Sequence, residues 1–204
     1  MQTVRQIERL WTARQYTRLF RELIANRPDG AFKFDLDPGH LAAAAMGMIR
    51  LDELNQAHNP LYRKLLNTII AAQQSDGGWG DIALSALCLR ALAIGRDTGG
   101  RAIDNALAYL ANLQRPDGYW PAIPLRRMPG DASVSALVLY HLAEEDRFRA
   151  AVQFKQAVQR LDADRTSLDP NARRLWDRAS LRCHSHHTEE TSRMWSAQIV
   201  PNAA

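Results

Sequence analysis

The residues best equipped for chemistry fall in a few short stretches. The densest is Cys183-His184-Ser185-His186-His187, with Glu189 and Glu190 close behind. Thiolate and imidazole suit zinc or copper. Their spacing fits no standard finger, so Cys183, His184, His186 and His187 are weak metal candidates, and no resident metal or cofactor is expected. Arg126-Arg127 place two planar guanidinium forks side by side, able to clamp a diphosphate or a carboxylate or simply to be solvated loop charges. Asp37, Asp81 and Asp131 share one slot: four residues after each comes Leu41, Ser85 or Ser135, then an alanine. A carboxylate just ahead of a helix accepts bonds from its free N–H groups and opposes its positive end. Three helix caps are the simplest reading of that slot.

The elements that must hold these residues announce themselves by repetition. Asn26-Arg27-Pro28-Asp29-Gly30-Ala31-Phe32, Gln74-Ser75-Asp76-Gly77-Gly78-Trp79 and Gln114-Arg115-Pro116-Asp117-Gly118-Tyr119-Trp120 follow one template of amide residue, Asp-Gly and aromatic. An apolar helical stretch precedes each copy and an Ala/Leu-rich one follows. Self-similarity at this spacing marks stacked helical hairpins. Apolar periodicity predicts helices over about 3–25, 38–54, 60–73, 82–94, 102–113, 132–145 and 147–161, and a shorter polar one after Asp169-Pro170 to about Leu181. No run alternates at period two, so the chain reads as all-α: a repeat domain over 1–181, with repeats near 20–54, 60–95 and 102–145 and a partial fourth. Residues 182–204 read as a polar tail without clear period. Small residues open the second helix of each hairpin: Ala42 to Ala45, then Ala83, Ser85 and Ala86, then Ala132, Ser133, Ser135 and Ala136. They permit close helix packing or, if these helices form an inner ring, leave a cavity.

Composition narrows the classes further. Hydrophobic content of 46% and charged content of 24% belong to a globular protein able to bury a core. The charged start of the chain, without an apolar leader, points to a cytoplasmic location. The net charge of +4 is carried by arginines spread along the sequence, with no nucleic-acid-binding signature, so nucleic acid is not an expected partner. The basic first helix could rest on an anionic membrane as a peripheral contact, although its apolar face suits packing on the repeats.

The stretch from Leu65-Leu66 through Gln73-Gln74-Ser75-Asp76-Gly77-Gly78-Trp79-Gly80-Asp81 resembles the QW repeat of terpenoid cyclases, as does Ala106 through Trp120. Gly39-His40-Leu41-Ala42 is similar to the His-Leu-Ala segment of protein prenyltransferase β subunits. The resemblance covers roughly residues 20–145. It implies an α/α toroid of helical hairpins around a cavity that holds isoprenoid chains, and makes Gln74, Trp79, Gln114 and Trp120 structural ties between neighbouring helices. A buried indole brings large apolar area and wants one partner for its N–H, and an amide can bond the free groups of a helix end.

The catalytic motifs of those families depart from this sequence. The register of the cyclase acid motif reads Asp131-Ala132-Ser133-Val134-Ser135-Ala136, with Ser133 in place of the middle acid. A serine hydroxyl is far too weak an acid to protonate an alkene. Asp35-Leu36-Asp37 is a further acid pair, a candidate proton donor or magnesium–diphosphate site. The zinc set of a prenyltransferase is represented by Asp131 and His141 with no cysteine beside them, and His141 reads as an edge or core histidine. With at most four hairpins, the chain could form an open arc, a small ring or half of a homodimeric ring. Two functions follow. One is an enzyme or carrier for an isoprenoid or other apolar molecule, with Asp35, Asp37 and Asp131 as catalytic candidates and His40, Ser133, Arg126 and Arg127 around the ligand. The other is a non-catalytic scaffold or interaction module that keeps the fold without the chemistry.

Overall fold

A computed structural model describes residues 38–95 and 100–198, with side chains as far as His184. Eight helices make up the described chain: α1 (Pro38–Glu53), α2 (Pro60–Ala71), α3 (Ile82–Ile94), α4 (Gly100–Leu113), α5 (Ala132–Leu142), α6 (Asp146–Ala151), α7 (Phe154–Asp164) and α8 (Pro170–Gln198). The expected helix over 3–25 and the first copy of the turn lie outside the described residues. No strand occurs among the described residues, and the chain is all-α as its periodicity predicts.

The helices pack in two rows. One row runs α1, α3, α5, α8, each helix against the next. The other is formed by α2, which packs on α1 and α3, by α4, which packs on α3 and α6, and by α7, which packs on α5 and α8. Burial follows from this order. Flanked by helices on several sides, α3 buries Ile82 to Leu89, Ala91 and Leu92. A second-row helix needs only one apolar face, and α4 buries Ala102, Ala106, Leu107, Tyr109 and Leu110 at helical spacing. The small residues at the head of α1, α3 and α5 sit inside this packing: Ala43, Ala44, Ala45, Ser85, Ala86, Ser135 and Ala136 are all at 0% exposure. They let the first-row helices approach closely.

Two of the expected boundaries shift. The single helix expected over 147–161 is broken, with Val152 extended (φ −119°, ψ 167°) between α6 and α7. The break lies where Gln114 takes both backbone groups of Gln153: Gln153 N–H donates to Oε1 at 2.7 Å and Nε2 donates to Gln153 O at 3.4 Å. A side chain from another hairpin thus replaces the helix's own bonds. At the other end, α8 does not stop near Leu181 but continues to Gln198, through the stretch expected to be an aperiodic tail. No proline or glycine interrupts 171–198, so nothing local ends the helix.

Candidate functional site

The repeated bend is the best-defined constellation among the described residues, and its two described copies share the hydrogen bonds of the indole, the serine and the cap. In the first, Trp79 Nε1 donates to Ile69 O at 2.7 Å and Trp79 N donates to Ser85 Oγ at 2.9 Å. In the second, Trp120 Nε1 donates to Leu110 O at 2.8 Å and Trp120 N to Ser135 Oγ at 2.8 Å. Each indole meets a carbonyl near the end of the preceding second-row helix, and Leu110 O also accepts from Gln114 N–H at 3.1 Å. Each serine hydroxyl in turn donates to its capping aspartate's carbonyl, Asp81 O at 2.6 Å and Asp131 O at 2.7 Å. Trp120 is fully buried and stacks on Phe148 with ring centroids 6.1 Å apart.

The amides reach furthest. Gln114 Nε2 donates to Gly118 O at 3.0 Å within its own bend, and the same side chain grips Gln153 at the head of α7. In the first copy Gln73 Nε2 donates to Gly77 O at 2.9 Å and to Ala102 O, in the first turn of α4, at 2.8 Å. The first-copy tie is therefore Gln73, a correction to the assignment of Gln74, whose side chain is exposed. Gln74 matches Arg115 instead: Gln74 N–H donates to Gly78 O and Arg115 N–H to Tyr119 O, both at 2.9 Å. The adjacent Gln73-Gln74 pair hid this slip. Counting back from the turn glycine resolves it, since Gln73 precedes Gly77 by the same four positions as Gln114 precedes Gly118. That glycine has φ +92° at Gly77 and +88° at Gly118, and each lies against the next second-row helix. A Cβ on Gly118 would sit 2.9 Å from Ala157 N.

Within this frame the aspartates are caps. Asp81 Oδ1 accepts from Leu84 N at 2.7 Å and Asp131 Oδ1 from Val134 N at 2.9 Å. Ser133 lies half-exposed in the first turn of α5, and His40 half-exposed in the first turn of α1. Arg126 and Arg127 are exposed on the loop between Trp120 and Asp131. Asp35 and Asp37 lie outside the described residues, so no common site for the acids and arginines can be built from the described ones. None of the candidate acids or arginines lines the three clefts formed by described residues: one of about 860 Å³ is lined by Phe154, Asp162, Cys183 and His184 among others, and one of about 1100 Å³ by Tyr62, Arg63 and Glu145 among others. The smallest, about 190 Å³, is a crevice lined by Leu89, Ile103, Leu107, Leu142 and Phe148 together with Glu145 and Arg147. Burial, with Asp146 and Glu144 nearby, raises the Glu145 carboxyl above the ordinary range.

Of the metal candidates, the side chains of Cys183 and His184 fall among the described residues. Cys183 is buried, and burial together with Asp162 pushes its thiol up to about 12, away from the thiolate a metal needs. His184 is exposed, its Nε2 3.4 Å from Asp162 Oδ2. No group of three or more histidine, cysteine or acidic side chains gathers among the described residues. The side chains of His186 and His187 lie outside them.

A second polar cluster went unnoticed in the sequence. His141 is buried to 3% exposure, and burial with the Arg90 and Arg182 guanidiniums drives its imidazole down to about 3, so it is neutral at ordinary pH. Arg90 Nη1 is buried without a hydrogen-bond partner among the described residues, and burial, then the Arg182 charge, lowers the guanidinium's affinity for its proton. Arg182 lies 4.4 Å above the Tyr140 ring and donates to Tyr140 O at 3.2 Å. The available signal was Arg90 itself, a single charge inside the apolar run of α3.

No protein-family model matches the chain, and neither a curated protein nor a solved structure does.

Proposed function

We propose that this chain is a non-catalytic helical-hairpin scaffold, an interaction module of the kind the terpenoid cyclase and prenyltransferase resemblance suggests, without that family's chemistry. The observation that carries the proposal is the equivalence of Asp81 and Asp131. Both accept a bond from the third N–H of the helix that follows, and both have a carbonyl tied to the buried serine. A proton donor would need a carboxyl held protonated by its surroundings and aimed at a substrate. Asp131 is instead employed, like its twin, in starting a helix.

The test is incubation of the purified chain with isoprenoid diphosphates and with a linear triterpene, analysed for cyclised or transferred products, alongside D131N and D81N. The scaffold reading expects no turnover and no bound isoprenoid by native mass spectrometry. Turnover abolished by D131N but kept by D81N overturns it in favour of the enzyme reading.

A further inference from the structure

The two bends match position for position until the tryptophan and then part. Gln73, Gly77 and Trp79 stand 41 positions before Gln114, Gly118 and Trp120, whereas Asp81 stands 50 positions before Asp131. The second copy thus holds nine more residues between its indole and its cap. One glycine, Gly80, makes that connection in the first copy; residues 121–130 make it in the second. The cap and the indole are hydrogen-bonded alike in both, so the scaffold does not need the added residues. In repeat proteins such insertions gather where binding occurs.

The inserted loop is held firmly at its base. Asp131 N donates to Trp120 O at 2.8 Å, Pro121 and Gly130 pair across the base, and Arg115 Nη1 donates to Met128 O at 2.7 Å. Its tip is two consecutive tight turns. Leu125 N donates to Ile123 O at 2.7 Å around Pro124, and Met128 N donates to Leu125 O at 2.9 Å, which puts Arg126 and Arg127 at the corners of the second turn. Ile123 and Leu125 are 42% and 45% exposed. Only Leu54 and Leu181 join them as large exposed hydrophobics among the described residues. No acidic residue falls within 121–130, and neither arginine has an ion pair among the described residues.

We propose that the 121–130 loop docks the protein peripherally on an anionic lipid surface, Ile123 and Leu125 entering the boundary between headgroups and acyl chains while Arg126 and Arg127 rest on the headgroup phosphates. A projecting tip with aliphatic knobs beside unpaired cations complements such a surface. Protein hot spots, by contrast, favour aromatic anchors seated in pockets, and this loop carries no aromatic residue. The backbone suits the low-polarity boundary as well. Pro121, Pro124 and Pro129 have no N–H, and those of Leu125 and Met128 are satisfied inside the loop.

The experiment is co-sedimentation of the full chain with vesicles of phosphatidylcholine alone and of phosphatidylcholine doped with phosphatidylglycerol, at low and high salt. Binding is expected on the anionic vesicles only and is expected to weaken with salt. R126Q/R127Q should lower partitioning by roughly 25-fold, about fivefold per arginine near an anionic surface. I123S/L125S should lower it by at least tenfold. Both leave the base of the loop intact. A variant with residues 121–130 replaced by one glycine, copying Trp79-Gly80-Asp81, should keep its circular dichroism and lose binding. Equal binding to neutral vesicles, no binding by the parent chain, or unchanged binding by either double variant overturns the proposal. Salt-sensitive capture of an acidic protein in place of vesicles overturns it too.

Discussion

Gln114→Ala should be among the most damaging polar substitutions in this protein. The side chain is 3% exposed and makes three hydrogen bonds, at 3.0, 3.4 and 2.7 Å, to Gly118 O, Gln153 O and Gln153 N. Truncation removes the donor for two carbonyls and the acceptor for one N–H, all at a helix–bend junction. A buried group left unsatisfied costs about 1–3 kcal/mol. With Gly118 O and Gln153 N both left without their partner, and water reaching the exposed Gln153 end, a loss of about 3 kcal/mol follows. For a chain of this size that lowers Tm by roughly 6–12 °C. Gln114→Glu should be no better: a carboxylate still accepts from Gln153 N but confronts two carbonyl oxygens without a donor. The first copy supplies the control. Gln73→Ala loses two bonds at a half-buried site and should cost about 1–2 kcal/mol, whereas exposed Gln74→Ala should stay within about 0.5 kcal/mol of the parent. Urea unfolding followed by far-ultraviolet circular dichroism measures all four. The reasoning fails if Gln114→Ala loses less than about 0.5 kcal/mol, or if Gln74→Ala costs as much as Gln73→Ala.

Gly118→Ala combines a left-handed backbone with a Cβ 2.9 Å from the α7 backbone, so thermal melting should show a loss of about 2–4 kcal/mol; at Gly100, where an added Cβ meets nothing within 4 Å among the described residues, the same change should be nearly neutral. Asp81→Ala and Asp131→Ala should each cost about 1 kcal/mol, as lost caps do, and unequal losses in denaturant titration would break the proposed equivalence. His141 stays neutral in the folded chain down to about pH 3, while in the unfolded chain it takes a proton near pH 6.5. Its contribution to stability is therefore complete above that value and falls by about 1.4 kcal/mol per unit as pH drops toward 3. Urea midpoints at stepped pH should show a shallower acid slope for His141→Gln, and an unchanged slope would refute the burial argument.

The helices were legible because most are bounded by local chemistry. Pro60 opens α2, with Asn59 capping it, and Asp81 and Asp131 cap α3 and α5. The α6–α7 break was not legible, because its cause is an amide nearly forty residues away rather than a breaker in its own sequence. The far end of α8 was missed for a different reason: its polar composition carries no apolar period, yet nothing in it stops a helix that has already begun. At the candidate site, the caps and indoles followed from residue type and spacing. The pairing of Arg90 and Arg182 around His141 did not, since α3, α5 and α8 meet only through tertiary packing.

The third bend, between α7 and α8, is built on another plan. Arg173 turns back from α8 and donates to the carbonyls of Arg165, Thr166 and Leu168 at 3.1, 2.7 and 3.3 Å, and Trp176 Nε1 meets Asp162 Oδ1 at 3.1 Å. Gln73 and Gln114 extend a hand to the unit that comes next, whereas Arg173 fastens its own hairpin shut. Modules could be duplicated ahead of it, each arriving with the clasp for its successor.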